Sequence, residues 1–246
     1  MMLFMQRGHA MIRLSVLLLG FMAGPLWAGA WQRGAGEGFA SISHWQAAPT
    51  DAEGTGSYTA LFAEYGLTPM LTFGLDAGRS VSGATKAVMF LRASLSNWGG
   101  GPVALELGLG EIAGQSVLRP GLSFGRSLEG TLGAGWLSVD TVLELDLDTQ
   151  AVDIKADVTL GVTPRAKSGA PSDWTVMLQV QTGLVDLKHS LLILQDTGIR
   201  PEPSFLRIVP SVTYRLSDRM DLELGYYRSL TSINEKGVKL GIWTRF

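Results

Sequence analysis

Fifteen charged residues fall on one face of the strands that the alternation in this sequence predicts. The opposite face carries mainly valine, leucine and isoleucine. If the strands close on themselves, the charged face is enclosed, where a mixed set of charges either biases the passage of charged solutes or pairs internally and stiffens the wall. The predicted lumen-lining residues are Glu64, Asp76, Arg92, Glu106, Arg119, Glu144, Asp153, Lys155, Asp157, Arg207, Arg215, Asp221, Glu223, Lys239 and Arg245.

Two serine–histidine neighbours, Ser43-His44 and His189-Ser190, are the candidates for hydrolytic chemistry. A catalytic serine needs a histidine that approaches it in space and a third group that orients the histidine. Adjacent residues of a strand point to opposite faces, so sequence proximity does not supply that approach. We therefore predict a protein that is not an enzyme and has no catalytic residues.

Metal and cofactor chemistry has little support in the sequence. Asp146, Asp148 and Asp153 lie near one predicted loop and would either gather Ca²⁺ or stay solvated, and we favour the solvated loop. The chain has no cysteine, which excludes disulfides and thiolate metal sites. We predict no metal and no cofactor.

The elements that must position these residues are β-strands, because apolar and polar residues alternate with a period of two along most of the chain. The alternation is clearest over 151–163 and again over 236–246. It predicts about twelve strands, near 37–45, 57–67, 70–80, 87–95, 102–111, 117–127, 131–147, 151–163, 174–185, 204–216, 219–229 and 236–246. Most are as long as a tilted strand that crosses a bilayer, which takes about 9–11 residues.

The predicted connections largely alternate between short and long, as they do when the two ends of a transmembrane barrel differ. Tight turns are predicted at Thr68-Pro69, Leu128-Glu129-Gly130 and Ser217-Asp218, and longer loops at 46–56, 81–86, 186–203 and 230–235. Two connections break the rule, the long 163–173 and the short 148–150. If 187–195 were a further spanning strand, the count would change.

Residues 1–30 have the features of an export signal. Arg7 and Arg13 precede an apolar stretch of about half the length of a membrane-spanning helix, and Ala28-Gly29-Ala30 offers a cleavage site before Trp31. Residues 31–246 then form one domain with a formal net charge of −4, which argues against nucleic acid as a partner.

Two hairpins and the carboxyl end carry a resemblance to bacterial outer-membrane β-barrel proteins. Tyr65-Gly66-Leu67-Thr68 and Tyr214-Arg215-Leu216-Ser217 each precede a tight polar turn. This pattern resembles periplasmic hairpins of such barrels, and the alternating end with Leu240, Ile242 and Phe246 resembles their assembly signal. The resemblance implies a closed antiparallel transmembrane β-barrel in the bacterial outer membrane, with its lipids and the barrel-assembly machinery as partners.

Alternation alone does not say which face meets water, and a periplasmic β-sandwich remains an alternative. A soluble barrel of about twelve strands would turn its apolar face inward and enclose a large cavity that side chains must fill, whereas here one face is uniformly aliphatic and the other polar, so lipid outside and water inside is favoured. Four aromatic residues near strand ends are predicted to anchor the barrel at the membrane interface: Trp45, Trp98, Trp174 and Tyr226.

These observations favour a porin-like passive channel for small hydrophilic solutes. A closed structural or surface-interaction barrel without transport is the alternative, and both have the same fold. An outer-membrane lipid hydrolase ranks third, because the motifs of those enzymes are absent.

Overall fold

The fold consists of twelve β-strands. The structure is a computed structural model and describes residues 29–49, 56–98, 100–187, 190, 203–231 and 235–246. The strands are β1 (Gly38–Ala47), β2 (Ser57–Thr68), β3 (Leu71–Ser80), β4 (Thr85–Trp98), β5 (Gly101–Ile112), β6 (Gln115–Gly130), β7 (Gly133–Asp146), β8 (Val152–Pro164), β9 (Trp174–Leu184), β10 (Phe205–Ser217), β11 (Met220–Ser229) and β12 (Lys236–Arg245). Within this described part of the chain, no helix has the length and apolar character needed to cross a membrane.

The strands close into one antiparallel barrel. Each strand pairs with its neighbours in sequence, and β1 pairs with β12 from Phe39 opposite Arg245 to Ala47 opposite Gly237. The predicted closed barrel of about twelve strands is confirmed. β9 pairs directly with β10, with Phe205 opposite Gly183. The segment 187–195, considered above as a further strand, lies almost entirely outside the described residues.

The outer surface of the barrel is apolar. In β5, Leu105, Leu107 and Leu109 are 47%, 56% and 57% exposed, whereas Ala104 and Glu106, which alternate with them, are buried. The aliphatic side chains thus point away from the axis, and the charged ones point inward. This outward apolar surface fits a lipid environment, where every backbone polar group must be paired within the protein.

The two ends of the barrel differ. The terminal end, where β1 begins and β12 stops, carries tight turns at 69–70, 131–132 and 218–219. The predicted turn at Leu128-Glu129-Gly130 is wrong by a few residues, because β6 continues to Gly130 and pairs there with Gly133. The far end carries the connections 48–56, 81–84, 113–114, 147–151, 185–204 and 230–235. The long connection 165–173 lies at the terminal end and the short 147–151 at the far end, as the sequence also indicates.

The N-terminal segment, residues 29–37, folds into the barrel at its terminal end. Trp31 is 7% exposed and packs in a cluster with Trp136 and Met177, which face inward. The backbone nitrogen of Gly36 donates to the oxygen of Gly66 over 2.9 Å. The sequence gives no strand or helix pattern for this segment, so its place inside the barrel is a finding of the structure.

The three predicted interface anchors whose side chains the structure describes divide between the two faces. Trp174 is 52% exposed and its ring lies 4.5 Å from that of Tyr214, and Tyr226 is 42% exposed. Trp45 instead lines the interior, so its prediction as an anchor is wrong. It occupies an inward position of β1, as Ser43 does. The side chain of Trp98 lies outside the described residues.

A charge on the outer face should cost more at the middle of a strand than at its end. Leu107→Arg at the middle of β5 should lower the free energy of unfolding by about 2–4 kcal/mol, because the guanidinium group would lie among acyl chains. Leu147→Arg is the matched control, since Leu147 is similarly exposed at the far-end turn and should cost about 0–1 kcal/mol. Denaturant titrations in lipid vesicles measure both, and equal losses would contradict an outer face embedded in lipid.

Candidate functional site: the barrel lumen

Two adjoining cavities of the lumen are lined by the residues that the structure describes. The larger is about 830 Å³ and lies between the walls of all twelve strands, whereas the smaller is about 200 Å³ and borders Arg33 of the N-terminal segment. Ser43, Phe62, Thr159, Gln179 and Lys239 line both. The larger volume is within the range of small-molecule sites, about 300–1,000 Å³.

A chain of seven alternating charges covers the wall formed by β2–β6. We call it the charge ladder; in order, its members are Arg33, Glu64, Arg92, Glu106, Arg119, Asp76 and Lys86. Arg92 pairs with Glu64 and, over 2.8 Å, with Glu106. Arg119 continues over 3.0 Å to Glu106 and 2.6 Å to Asp76. With four bases and three acids, the ladder has a formal charge of +1.

The sheet register explains the centre of the ladder. Arg92 of β4 lies directly opposite Glu106 of β5, with both side chains inward. Arg119 of β6 lies opposite Gly108 of β5 and reaches Asp76 of β3. A Cβ at Gly108 would lie 2.9 Å from Cγ1 of Val88, so the close packing at this point favours glycine. The side chains of Arg92, Glu106 and Arg119 are 7% exposed or less. Such burial is tolerated only because each charge has an opposite partner.

The wall formed by β7 and β8 is acidic. Asp140 and Asp157 are opposite each other in the strand register and both line the larger cavity; we call them the acidic pair. No Lys or Arg of the described residues forms an ion pair with either of them. Glu144 pairs with Lys155 over 2.5 Å in the same two strands.

The remaining wall carries an aromatic patch with cations. The rings of Trp45 and Tyr227 are 5.4 Å apart, and the guanidinium of Arg207 lies 5.0 Å from the Tyr227 ring. Arg207 also pairs with Glu235 over 3.0 Å, and Tyr227 donates to the same carboxylate. Nζ of Lys239 lies 5.0 Å from the Trp45 ring, so cation–π contacts add to the ion pairs here.

Five of the fifteen predicted lumen residues, Glu64, Asp76, Arg92, Glu106 and Arg119, meet in the charge ladder. Six more of the predicted residues form three ion pairs elsewhere in the lumen: Glu144 with Lys155, Glu223 with Lys239, and Asp221 with Arg245. The last four lie on the same inward face: Arg207 pairs with Glu235, Asp157 belongs to the acidic pair, Asp153 accepts from the backbone of Asp186, and Arg215 is opposite Asp221.

Four charged residues of these networks were missed by the sequence reasoning. Asp140 shares its strand face with Glu144, four positions along, so the alternation could have found it. Lys86 was placed in a loop, whereas β4 begins at Thr85. Arg33 belongs to the N-terminal segment and Glu235 to the 230–235 connection, and neither has a periodic signal.

The interior is less uniformly polar than the sequence indicates. Phe90 is 2% exposed, stacks on Phe62 at 5.8 Å and lies 5.0 Å from the guanidinium of Arg92. Near the terminal end, Trp243 packs against the buried Trp31 cluster. Large apolar rings therefore fill the lumen beside the charged groups and narrow it.

The hydrolytic candidates do not form a site in the described part of the chain. Ser43 lines the cavities, whereas His44 is exposed on the outer face and its Nδ1 is 3.0 Å from Thr59 Oγ1. His189 lies outside the described residues. Asp146 accepts from the backbone of Asp148 and Thr149 and so holds the far-end turn. No group of three or more His, Asp or Glu side chains in the described ranges could hold a metal ion.

The predicted assembly signal lies on the outer face. Leu240, Ile242 and Phe246 are 51%, 49% and 60% exposed. The backbone nitrogen of Phe246 donates to the oxygen of Gly38 over 3.0 Å, so the last residue takes part in closing the barrel. The role of these residues in assembly stays a prediction.

Comparison with known proteins identifies the fold. No protein-family model and no curated protein matches the sequence. Among solved structures, the chain is similar to the KdgM porin (7% identity, TM-score 0.54, 84% of this chain and 99% of that one) and the NanC porin (8%, 0.57, 83% and 98%). It is also similar to an outer membrane channel from Pseudomonas putida F1 (10%, 0.50, 90% and 100%). At these identities the likeness is one of fold, and the fold is that of outer-membrane barrels.

Removal of the central carboxylate of the ladder should destabilise the barrel. Glu106→Gln leaves Arg92 and Arg119 with a neutral neighbour in a buried place, which should cost about 3–5 kcal/mol of unfolding free energy. Glu111→Gln is the control, because Glu111 lies on the same strand but is exposed. Denaturant titration of the refolded proteins gives both values, and a loss below that of the control would show that the ladder does not stabilise the fold.

Proposed function

We propose that this protein is a narrow, passive, porin-like channel for small hydrophilic solutes in the bacterial outer membrane. The observation that carries the proposal is the cavity of about 830 Å³ enclosed by a barrel whose outer surface is apolar. Charged groups of both signs line that cavity, and water and polar solutes are the natural contents of such a space. The lipids of the outer membrane surround the barrel, and the assembly machinery inserts it.

The orientation of the barrel in the membrane follows from the different lengths of the connections at its two ends. In outer-membrane barrels the short turns face the periplasm and the longer loops face outward. The terminal end of this barrel is therefore the periplasmic end, and the larger cavity opens toward the far-end loops. The N-terminal segment and its smaller cavity lie on the periplasmic side of the path.

The lining charges predict weak ion selectivity. Six bases and six acids of the described residues line the larger cavity, so their formal charges cancel. They are not evenly distributed, because the charge ladder has a formal charge of +1 and the acidic pair one of −2. Solutes with separated positive and negative groups fit between these walls.

The structural neighbours support solute passage without naming the solute. The KdgM porin has been solved in complex with disordered oligogalacturonate, a chain of acidic sugars. The balanced lining of the present lumen gives no excess of positive charge for a polyanion. We therefore propose small neutral or zwitterionic solutes, and no catalytic function.

A closed, non-transporting barrel is the second candidate. It is favoured by the N-terminal segment, which together with Trp136, Met177 and Trp243 occupies the periplasmic half and leaves a cavity of only about 200 Å³ there. Conductance distinguishes the two candidates.

Single barrels in planar bilayers should pass small ohmic currents, and loss of one lining carboxylate should change their selectivity. Asp157→Asn removes a negative charge from the acidic pair, so the reversal potential in a salt gradient should move toward anion selectivity. Asp173→Asn is the control, because Asp173 is exposed in the 165–173 connection outside the lumen, and its reversal potential should equal that of wild type.

Two results would oppose the channel. Folded protein that migrates in a heat-modifiable way on gels but gives no current would support the closed barrel. Equal reversal potentials for wild type and Asp157→Asn would show that ions do not pass the acidic pair.

A further inference from the structure

Asp140 is a partly buried carboxylate that forms no ion pair with a Lys or Arg of the described residues, although the positive charge of Arg92 acts on it from a greater distance. Its Oδ2 accepts a hydrogen bond from Ser138 Oγ over 2.6 Å. Its Oδ1 is buried and has no hydrogen-bond partner among the residues that the structure describes. Burial of the unpartnered Oδ1 is unfavourable unless a cation or a further donor compensates it, so a second positive charge at this place would stabilise Asp140.

The start of the N-terminal segment lies against this carboxylate. A Cβ built on Gly29 would be 2.6 Å from Ser138 Oγ and 2.7 Å from Asp140 Oδ2. The α-nitrogen and a Cβ are bonded to the same Cα, so the nitrogen of residue 29 is within about 5 Å of the carboxylate. Because a Cβ at this position would clash with both side chains, the position favours glycine on steric grounds.

Residues 29 and 30 pack as parts of the folded barrel. Nη1 of Arg92, a member of the charge ladder, donates to the oxygen of Gly29 over 3.0 Å. Ala30 is 0% exposed. Removal of both residues with the export signal would take away this acceptor and leave a gap beside the ladder.

We infer that the mature chain begins at Gly29 and that its α-ammonium group pairs with Asp140 inside the lumen. This site differs by two residues from cleavage before Trp31; it leaves the small residue Ala28 at the end of the signal but has Leu26 where the Ala-x-Ala pattern has a small residue. Signal peptidase hydrolyses the Ala28–Gly29 amide with one water. Ala28 keeps the new carboxylate, and the amine of Gly29 takes up a proton to become the cation that pairs with Asp140.

The pairing would fasten the N-terminal segment at both of its ends. At its other end, Gly36 and Glu37 bond to the backbone of Gly66 in β2. The segment would then cross the lumen between β2 and β7, and Gly29 would form part of the floor of the larger cavity. Removal of the signal would thus create the positive charge that pairs with Asp140 inside the lumen. This inference requires removal of the signal but does not depend on conduction.

The mass of the intact wild-type protein, purified from outer membranes, tests the first part. A chain that begins at Gly29 and one that begins at Trp31 differ by one glycine and one alanine, which mass spectrometry and N-terminal peptide mapping resolve. A start at Gly29 supports the inference. Any other start overturns it, whatever the barrel conducts.

Chemical labelling of the α-amine tests the pairing. In folded barrels, a pyridinecarboxaldehyde reagent that condenses with N-terminal amines should react slowly with wild type, because the amine is protonated and paired. Asp140→Asn should raise the labelling rate by about tenfold or more, as expected when one partner of a buried pair is removed.

Matched variants separate pairing from general loosening. Asp157→Asn, the opposite member of the acidic pair, should label like wild type, and Asp140→Glu should keep most of the protection because it retains the charge. Heat-modifiable migration confirms that each variant is folded. Equal rates for wild type and Asp140→Asn, or an equal rise for Asp157→Asn, would overturn the pairing.

Discussion

The pairing of β1 with β12 is the contact on which the rest of this structure depends. Nine residue pairs join the first and last strands, from Phe39 with Arg245 to Ala47 with Gly237, and leave no edge. In a hydrocarbon environment an open edge would leave backbone amides and carbonyls unpaired, each at a cost of several kcal/mol. Closure in turn forces alternate residues of every strand into a confined interior. The content of that interior is therefore a consequence of the fold as much as of the function.

A confined interior with many charges has to neutralise most of them internally. The ladder from Arg33 to Lys86 does so on one wall, and the pairs of Glu144 with Lys155 and of Glu223 with Lys239 do so on the others. Phe90 beside Arg92 shows that aromatic rings also stabilise the enclosed cations, since a ring face attracts a cation. Mutual neutralisation stiffens the wall and still leaves space along the axis, so an internal charge network and a channel are compatible.

The order of the strands and the side of each strand that faces inward were predictable from the sequence. The alternation of apolar and polar residues can be recognised within each segment, without knowledge of the fold. Twelve strands follow from it with bounds within a few residues, and so does the inward position of Glu106 and Arg119. The pairing partners were not predictable, since Arg119 bridges to Asp76 across two intervening strands. Trp45 was assigned to the membrane interface because aromatic residues near strand ends occur on either face, and only the register of β1 decides between them.

The position of the N-terminal segment could not be predicted from any local sequence pattern. Its residues have no periodicity, and Gly34 and Gly36 would ordinarily indicate a linker. Its position depends on contacts with the closed barrel. The ring of Trp31 packs against Gly125, where a Cβ would be 2.6 Å from that ring, and Arg33 pairs with the carboxylate of Glu64 on β2. Both contacts are made with strands more than twenty residues away in sequence. A segment that contributes Arg33 to the ladder is part of the wall, so the lumen should be regarded as built from twelve strands and this segment together.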